Sequence, residues 1–368
     1  MEEKFIFTII VSKDSLDFSL PLNGFSTTGI RGGVSYDWII DWGDNNLELK
    51  VGTSFKLPKV NLGWISHTYS EEGVYQITIR PNKDHFGWMR AWGCYTYPDI
   101  DDIYQSNALY TKYEIAYKIV SFDYVTNKSF MASKTSYGDY YMANIYCSSI
   151  TTCVNEIKTV SEDNIVHIGN NFKSSQYSNC IHLLKAQEEI LPVNIKHIGS
   201  GFLDGQYASC ISLQNSAKEF LPSSVIVIED FFRCNQYAGC HNLHLAAAEY
   251  LPDTIITIKE AFRKYQYAGC ISLLSPPDEC LSDVISIRDF FRAYQYATCI
   301  NLKEIAKERM SNSIMYIGAG FRHKQYSNTR LNLLNTNYYA YTSPFRKLDK
   351  VDKIPYDMLN LTSDSFLV

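Results

Sequence analysis

The chain has 368 residues, 34 of them basic and 39 acidic, for a formal net charge of −5. That length can bury a sizeable core and accommodates about two or three domains of roughly 150 residues each. So even a charge balance offers no general field for nucleic acid and no acidic tail, so any ligand has to be recognised locally, and the dense aromatics, 14 % with 28 tyrosines, suit strands, stacked repeats and carbohydrate-facing surfaces.

The N-terminal MEEKFIFTIIVSKDS opens with two acids, holds a mostly apolar run of only seven residues from Phe5 to Val11 and has no small-residue cleavage site; it reads as a strand, not a signal peptide. Nothing elsewhere approaches the roughly 18 to 20 consecutive apolar residues of a membrane helix, so no membrane insertion is expected. A Gly-rich turn at Gly29 to Gly33 precedes WIIDWGDNN, Trp38 to Asn46, and HTYSEEGVYQITI, His67 to Ile79. In the second, Gly73 marks a turn, and Tyr75, Ile77 and Ile79 alternate as a strand with one buried face does. Together the Trp-Gly-Asp hairpin, His-x-Tyr and Gly-x-Tyr resemble the PKD-like immunoglobulin-type sandwich. The resemblance implies an all-β domain over residues 1–80. Asn45 stands where that family more often has Gly, although Asn also tolerates the left-handed conformation. Asp41 and Asp44 raise the question of calcium, but carboxylates in such a hairpin usually satisfy turn amides, and no metal is expected.

Residues 81–160 are irregular and read as a connecting region and N-terminal cap. KIVSFDYV, Lys118 to Val125, resembles the strand of a degenerate first coil, and YMANIYCSSI, Tyr141 to Ile150, its Tyr and Cys portion. Trp88 and Trp92 are expected to pack between sandwich and repeats, with an interface or a sugar as the other reading.

From residue 161 to 334 the sequence repeats. Gln-Tyr recurs at Gln176, Gln206, Gln236, Gln266, Gln295 and Gln325, at spacings of 30, 30, 30, 29 and 30, and a fixed period of that length signals stacked coils. Other columns keep the register. A Phe column runs through Phe172, Phe202, Phe232, Phe262, Phe291 and Phe321, an Ile column through Ile168, Ile198, Ile228, Ile258, Ile287 and Ile317, and a Cys column through Cys180, Cys210, Cys240, Cys270 and Cys299. Leu-Pro pairs at Leu191, Leu221 and Leu251 punctuate the units. The β-branched stretch Thr254 to Ile258 predicts a short strand, whereas AFRKYQYAGC and LAAAEYL carry helix-like apolar spacing. The fold class expected is therefore an α/β repeat solenoid with units of about 30 residues behind an all-β sandwich, closed by a C-terminal cap at residues 335–368. SSVIVIEDFFRCNQYAGCHNL resembles the BspA-type leucine-rich repeat, although the present units are longer. That resemblance implies a bacterial or phage-associated surface protein.

Because they share one slot, the registered cysteines read as reduced core residues and not as a disulfide framework. Gln266 is expected to bond the backbone of a neighbouring coil, as a buried amide must find a partner. No phosphate loop, HExxH, GxSxG or Cys/His pairing occurs, so neither catalysis nor a cofactor is expected. Two charged columns remain. Arg233, Arg263, Arg292 and Arg322 follow the Phe column, with Lys173 and Leu203 in the same slot earlier, and Glu189, Glu219, Glu249, Glu279 and Glu308 form an acidic column. One account has them pairing to keep the coils soluble. In the other, the arginines join Lys264, Tyr265, Tyr294, His323 and Lys324 in a surface strip that binds a host or bacterial surface protein or a glycan. The leading function is adhesion or recognition at a cell surface, without nucleic acid. The alternatives are a structural part of a phage tail or similar assembly, which suits the absent leader, and a hydrolase built on a solenoid. A phage particle or a cytoplasmic pool are the other locations considered.

Overall fold

The computed structural model describes residues 2–20, 35–53, 65–89, 92, 118–145, 149–246, 249–277, 279–281, 283–303, 308–310, 314–329, 346–347 and 360–361. Their elements are strands and one 3-10 turn at Asn127–Ser129.

The N-terminal unit is a twisted antiparallel sheet. Strands β1 (Phe5–Val11), β3 (Ser35–Asp41), β4 (Leu47–Thr53) and β6 (Gly73–Pro81) carry it, with a small pair made by β2 (Asp17–Ser19) and β5 (Ser66–Thr68). Alternation along β1 buries Phe5, Phe7, Ile9 and Val11, and Phe18 of β2 meets Phe7 at 5.9 Å between ring centroids. The two motifs of the hairpin region meet in space. Asp41 and Asp44 accept hydrogen bonds from the Gly43 and Asn46 amides at 3.0 and 3.1 Å, as turn carboxylates do. Gly43 and Asn45 take φ of 82° and 66°. His67 stacks on Trp42 and bonds Asp44 at 2.7 Å, and the Tyr69 hydroxyl donates to the Trp42 carbonyl.

Strand β7 (Ile119–Thr126) adds to the expectation for KIVSFDYV. It lies in the N-terminal sheet, antiparallel to β1. Sheet order places it between β1 and β10. After β8 (Met131–Ser133), the strand of the first coil is β9 (Ser136–Tyr137), parallel to His167–Ile168. Further along, β10 (Glu156–Ile157) returns to pair in parallel with β7 and so ties the coils to the N-terminal sheet. Trp88 and Trp92 are buried, Trp92 against Phe5, Phe7 and Phe122.

The repeats form a solenoid of parallel strands, and the expected α/β class is wrong because the segments with helical spacing are not helices. In-register ladders join His167–Ile168, His197–Ile198 and Val227–Ile228, and then Thr257–Ile258, Ser286–Ile287 and Tyr316–Ile317. A second set begins at the acidic column, Glu189–Ile190 pairing with Glu219–Phe220 and that with Glu249–Tyr250. Two short strands, Arg346–Lys347 and Asn360–Leu361, close these ladders antiparallel at the C-terminal end. Each Leu-Pro starts a turn closed by a bond such as Ile255 N to Pro252 O at 3.2 Å.

The Phe-to-Cys segment is an alternating ribbon. Positive φ falls on Asn171, Lys173, Ser175 and Asn179, and at the same slots of every later coil. A helix needs successive right-handed residues, so it cannot propagate here. The backbone hydrogen bonds split to match. Ser174, Gln176, Ser178 and Cys180 donate to carbonyls three residues back, whereas Ser175, Tyr177 and Asn179 donate to Asp204, Gln206 and Ala208 of the next coil. Every second amide is thus satisfied by its own turn and the others by the neighbour, a complete accounting for a buried segment.

Stacking turns each sequence column into a ladder. Phe172 through Phe321 and Tyr177 through Tyr326 stack with centroids 5.2 to 5.6 Å apart. The glutamines add an amide ladder. Their amides bond one another along the axis, Gln266 Nε2 to Gln236 Oε1 at 3.2 Å and Gln295 Nε2 to Gln266 Oε1 at 3.0 Å, because stacking places identical side chains in contact. The five registered cysteines are buried and form no disulfide, as expected; Cys210, Cys240, Cys270 and Cys299 donate to tyrosine carbonyls of the preceding coil at 3.0 to 3.1 Å. Burial pushes the Cys240 and Cys299 thiols up to about 12.

Candidate functional site

The arginine row does not reach the surface. Arg233, Arg263, Arg292 and Arg322 are at most 4 % exposed, and each guanidinium lies 4.8 to 5.4 Å from the ring of the phenylalanine before it. The slot is left-handed, with φ of 50° to 54°. At the first coil the same slot holds Lys173, whose ammonium bonds Glu189 of the acidic column at 2.8 Å and lies 3.6 Å from Glu156. There the pairing account of the two columns is the one realised.

What remains outside is a cluster of aromatic and basic side chains on the C-terminal half of the ribbon. Tyr265 and Tyr294 are half-buried and stack at 4.8 Å. Lys264 lies over Phe290 at 4.6 Å and over Tyr265 at 5.4 Å, and Lys324 over Tyr294 at 5.9 Å. His323 meets Tyr294 edge-on at 5.2 Å; burial and the neighbouring Lys324 hold its imidazole below its ordinary pKa, which favours the neutral form. Sequence reasoning brought Lys264, Tyr265, Tyr294, His323 and Lys324 together correctly, but missed Phe231 and Phe290. These are 43 % and 38 % exposed, both with φ of 58°. The equivalent slot holds Asn171, Gly201, Ala261 and Gly320 in the other coils, so the exposed phenylalanines alternate with small residues. A Cβ built on Gly320 would lie 2.8 Å from the Phe290 ring; the small residue makes room for its neighbour's ring. The signal available in the sequence was a bulky residue breaking a column of small ones.

Toward the N-terminal half the same ribbon changes character. Asp204 and Asn235 bond weakly at 3.4 Å, and burial pushes the Asp204 carboxyl up to about 6. On another face, Ile226 and Ile256, 53 % and 50 % exposed, line with Ile285, Asp253, Thr254 and Asp283 an open groove of about 500 Å³. His167 and His197 stack at 4.6 Å, with Glu229 3.3 Å from His197. Among the described residues no group of three or more His, Cys, Asp or Glu is placed to hold a metal ion, and no helix is long and apolar enough to cross a membrane.

The fold and surface define a β-rich solenoid joined to a β-sheet domain. No family model matches the chain, and it matches no curated protein and no solved structure.

Proposed function

We propose that this chain is a non-catalytic recognition protein whose solenoid offers the strip of Phe231, Lys264, Tyr265, Phe290, Tyr294 and Lys324 to a glycan or protein partner at a cell or particle surface. The observation that carries this reading is the pair Phe231 and Phe290. A phenylalanine in the left-handed region costs on the order of 1 to 2 kcal/mol relative to a right-handed conformation, and leaving its ring in water forgoes burial of apolar surface as well. Neither cost helps the coil, since Asn, Gly and Ala occupy the same slot elsewhere. Strained and exposed bulky groups persist where a contact selects them. The test is the double variant Phe231→Asn, Phe290→Asn against wild type on a glycan array and on purified bacterial surface proteins. Loss of at least tenfold in binding with melting temperature unchanged or raised supports the reading; unaltered binding of every ligand removes it.

One observation favours the second reading, a structural component of a phage tail or similar assembly. The apolar row of Ile226, Ile256, Ile285 and Met315 follows the coils one by one on a different face, as a surface buried by a neighbour would.

A further inference from the structure

Away from the strip, we infer that the N-terminal sheet pairs with a second copy of this chain, strand β4 lying antiparallel to the partner's β4 about a two-fold axis at Leu49. Among the described residues β4 is the last strand of its six-stranded sheet, and it keeps unbroken register with β3 over all 7 residues. The Trp42 amide donates to the Asn46 carbonyl at 3.1 Å, which sets the phase of that ladder. Pairs that exchange both backbone bonds alternate with pairs that exchange none. Ile40 with Glu48 and Trp38 with Lys50 are therefore the bonded pairs, and the N–H and C=O groups of Leu47, Leu49 and Val51 point away from β3. A further strand takes up such groups.

Side chains then select which strand comes and in what register. Leu47 and Leu49 are 64 % and 58 % exposed, and Leu49 stands across from half-buried Ile39. On the opposite face Glu48 bonds Lys50 at 2.5 Å and accepts the Trp42 indole N–H at 3.2 Å. Opposite charges thus flank Leu49, so a two-fold axis there sets each Glu48 across from the partner's Lys50. With Leu49 bonded to the partner's Leu49, these charges fall at the positions without backbone bonds, where facing side chains come closest. A centre on Glu48 or on Lys50 would oppose like charges. A centre on Leu47 or Val51 no longer sets Glu48 opposite Lys50. Charge on an edge strand ordinarily prevents pairing; here the two charges complement each other in one register. That register forms about six backbone hydrogen bonds and aligns Ile39, Leu49, the partner's Leu49 and the partner's Ile39 in one apolar row.

Sedimentation of the whole chain between about 1 and 100 µM measures the dimer. Wild type should dimerise, and the Leu47 and Leu49 amides should exchange more slowly as concentration rises, whereas that of Lys50, bonded to β3, should not change. Glu48→Lys sets lysine against the partner's Lys50, and Lys50→Glu sets glutamate against the partner's Glu48. Each variant alone should dimerise about tenfold more weakly. Mixed in equal amounts, the two should recover the dimer, and the chain carrying both exchanges should recover it by itself. Leu49→Pro, which removes an N–H facing away from β3, should give a folded monomer and keeps the test open if the charge variants fail to fold. A wild-type chain that stays monomeric throughout overturns the inference and leaves the edge to a strand of a different protein. A dimer that Leu49→Pro or both single-charge variants form as well as wild type also overturns it, in favour of another face such as the Ile226 and Ile256 row.

Discussion

Phe231 and Phe262 differ sharply in exposure, and their variants separate the role proposed for the strip from a role in the fold. Phe262 lies in the ring ladder, 1 % exposed, with Phe232 and Phe291 on its two faces at 5.2 and 5.5 Å. Removing it opens a cavity that two neighbouring coils line, so Phe262→Ala should cost about 3 to 5 kcal/mol and speed hydrogen exchange in the coils before and after it. Phe231 has φ of 58° and 43 % exposure. Asn adopts that conformation more readily, as Asn171 does at the equivalent slot, so Phe231→Asn should leave stability unchanged or raise it by up to about 1 kcal/mol. Urea unfolding of both variants checks the contrast. A large loss for Phe231→Asn would mean that its ring is part of the fold, and damage from Phe262→Ala confined to its own coil would contradict the continuous ladder.

At the scale of elements, the critical contact is where β10 leaves the first coil to pair with β7. Beside it Glu156 is nearly buried, with Lys158 at 2.9 Å, Lys173 at 3.6 Å and the Tyr141 hydroxyl donating to it, while Lys158 also bonds Glu162 at 2.6 Å. Burial alone would raise the Glu156 carboxyl, but the two lysines and the Tyr141 hydroxyl hold it below its ordinary 4.5. A carboxylate lowered on folding stabilises the native state above its unfolded pKa, and that contribution is lost as pH falls through the folded value. Stability should therefore drop on acidification below about 4.5. Lys173→Met would take from Glu189 its Lys173 partner and leave Glu156 with Lys158 and Tyr141; it should cost about 3 to 5 kcal/mol at pH 7, less at pH 4 as protons replace the lost cation, and an equal cost at both pH values would show the cluster to be energetically idle. This joint was not legible in the sequence, because KIVSFDYV carries no mark that it also joins the sheet of β1. The repeat columns were legible, since stacking translates a 30-residue period directly into ladders of Phe, Tyr and Cys. The alternating ribbon was not. Its apolar residues recur at three to five positions, as in a helix, and the left-handed slots that forbid a helix hold Arg, Lys and Tyr as often as Gly or Asn. The same blindness placed the arginine row on the surface: position after a core phenylalanine suggests the outer face of a helix, whereas in the ribbon this slot is buried beside the Phe ladder.

For the whole molecule the question is how many units unfold. Buried side chains form one contiguous cluster from Phe5 in β1 to Tyr326 in the last coil, and the N-terminal sheet and the solenoid share the β7–β10 pairing as well as Phe130, whose ring meets both Phe5 and Tyr141. Repeat arrays couple through their nearest neighbours, and here those couplings include a ring ladder, an amide ladder and backbone bonds in every coil. Such coupling favours a single transition over coil-by-coil melting. Two sets of native probes can test this without mutation. Trp38, Trp42, Trp88 and Trp92 are buried in the sandwich, and Cys180, Cys210, Cys240, Cys270 and Cys299 mark five coils. Their thiols are held unreactive by burial, since the thiolate is the attacking form, whereas half-buried Cys153 is accessible. In native buffer, peptide mapping after alkylation should find Cys153 modified and the five ladder thiols intact. In urea, all five should become reactive together, at the midpoint where tryptophan fluorescence changes. Ladder thiols that label in native buffer would contradict the buried column. A thiol midpoint well below the fluorescence midpoint would show the solenoid melting apart from the sandwich, with the joint at β10 too weak to couple them.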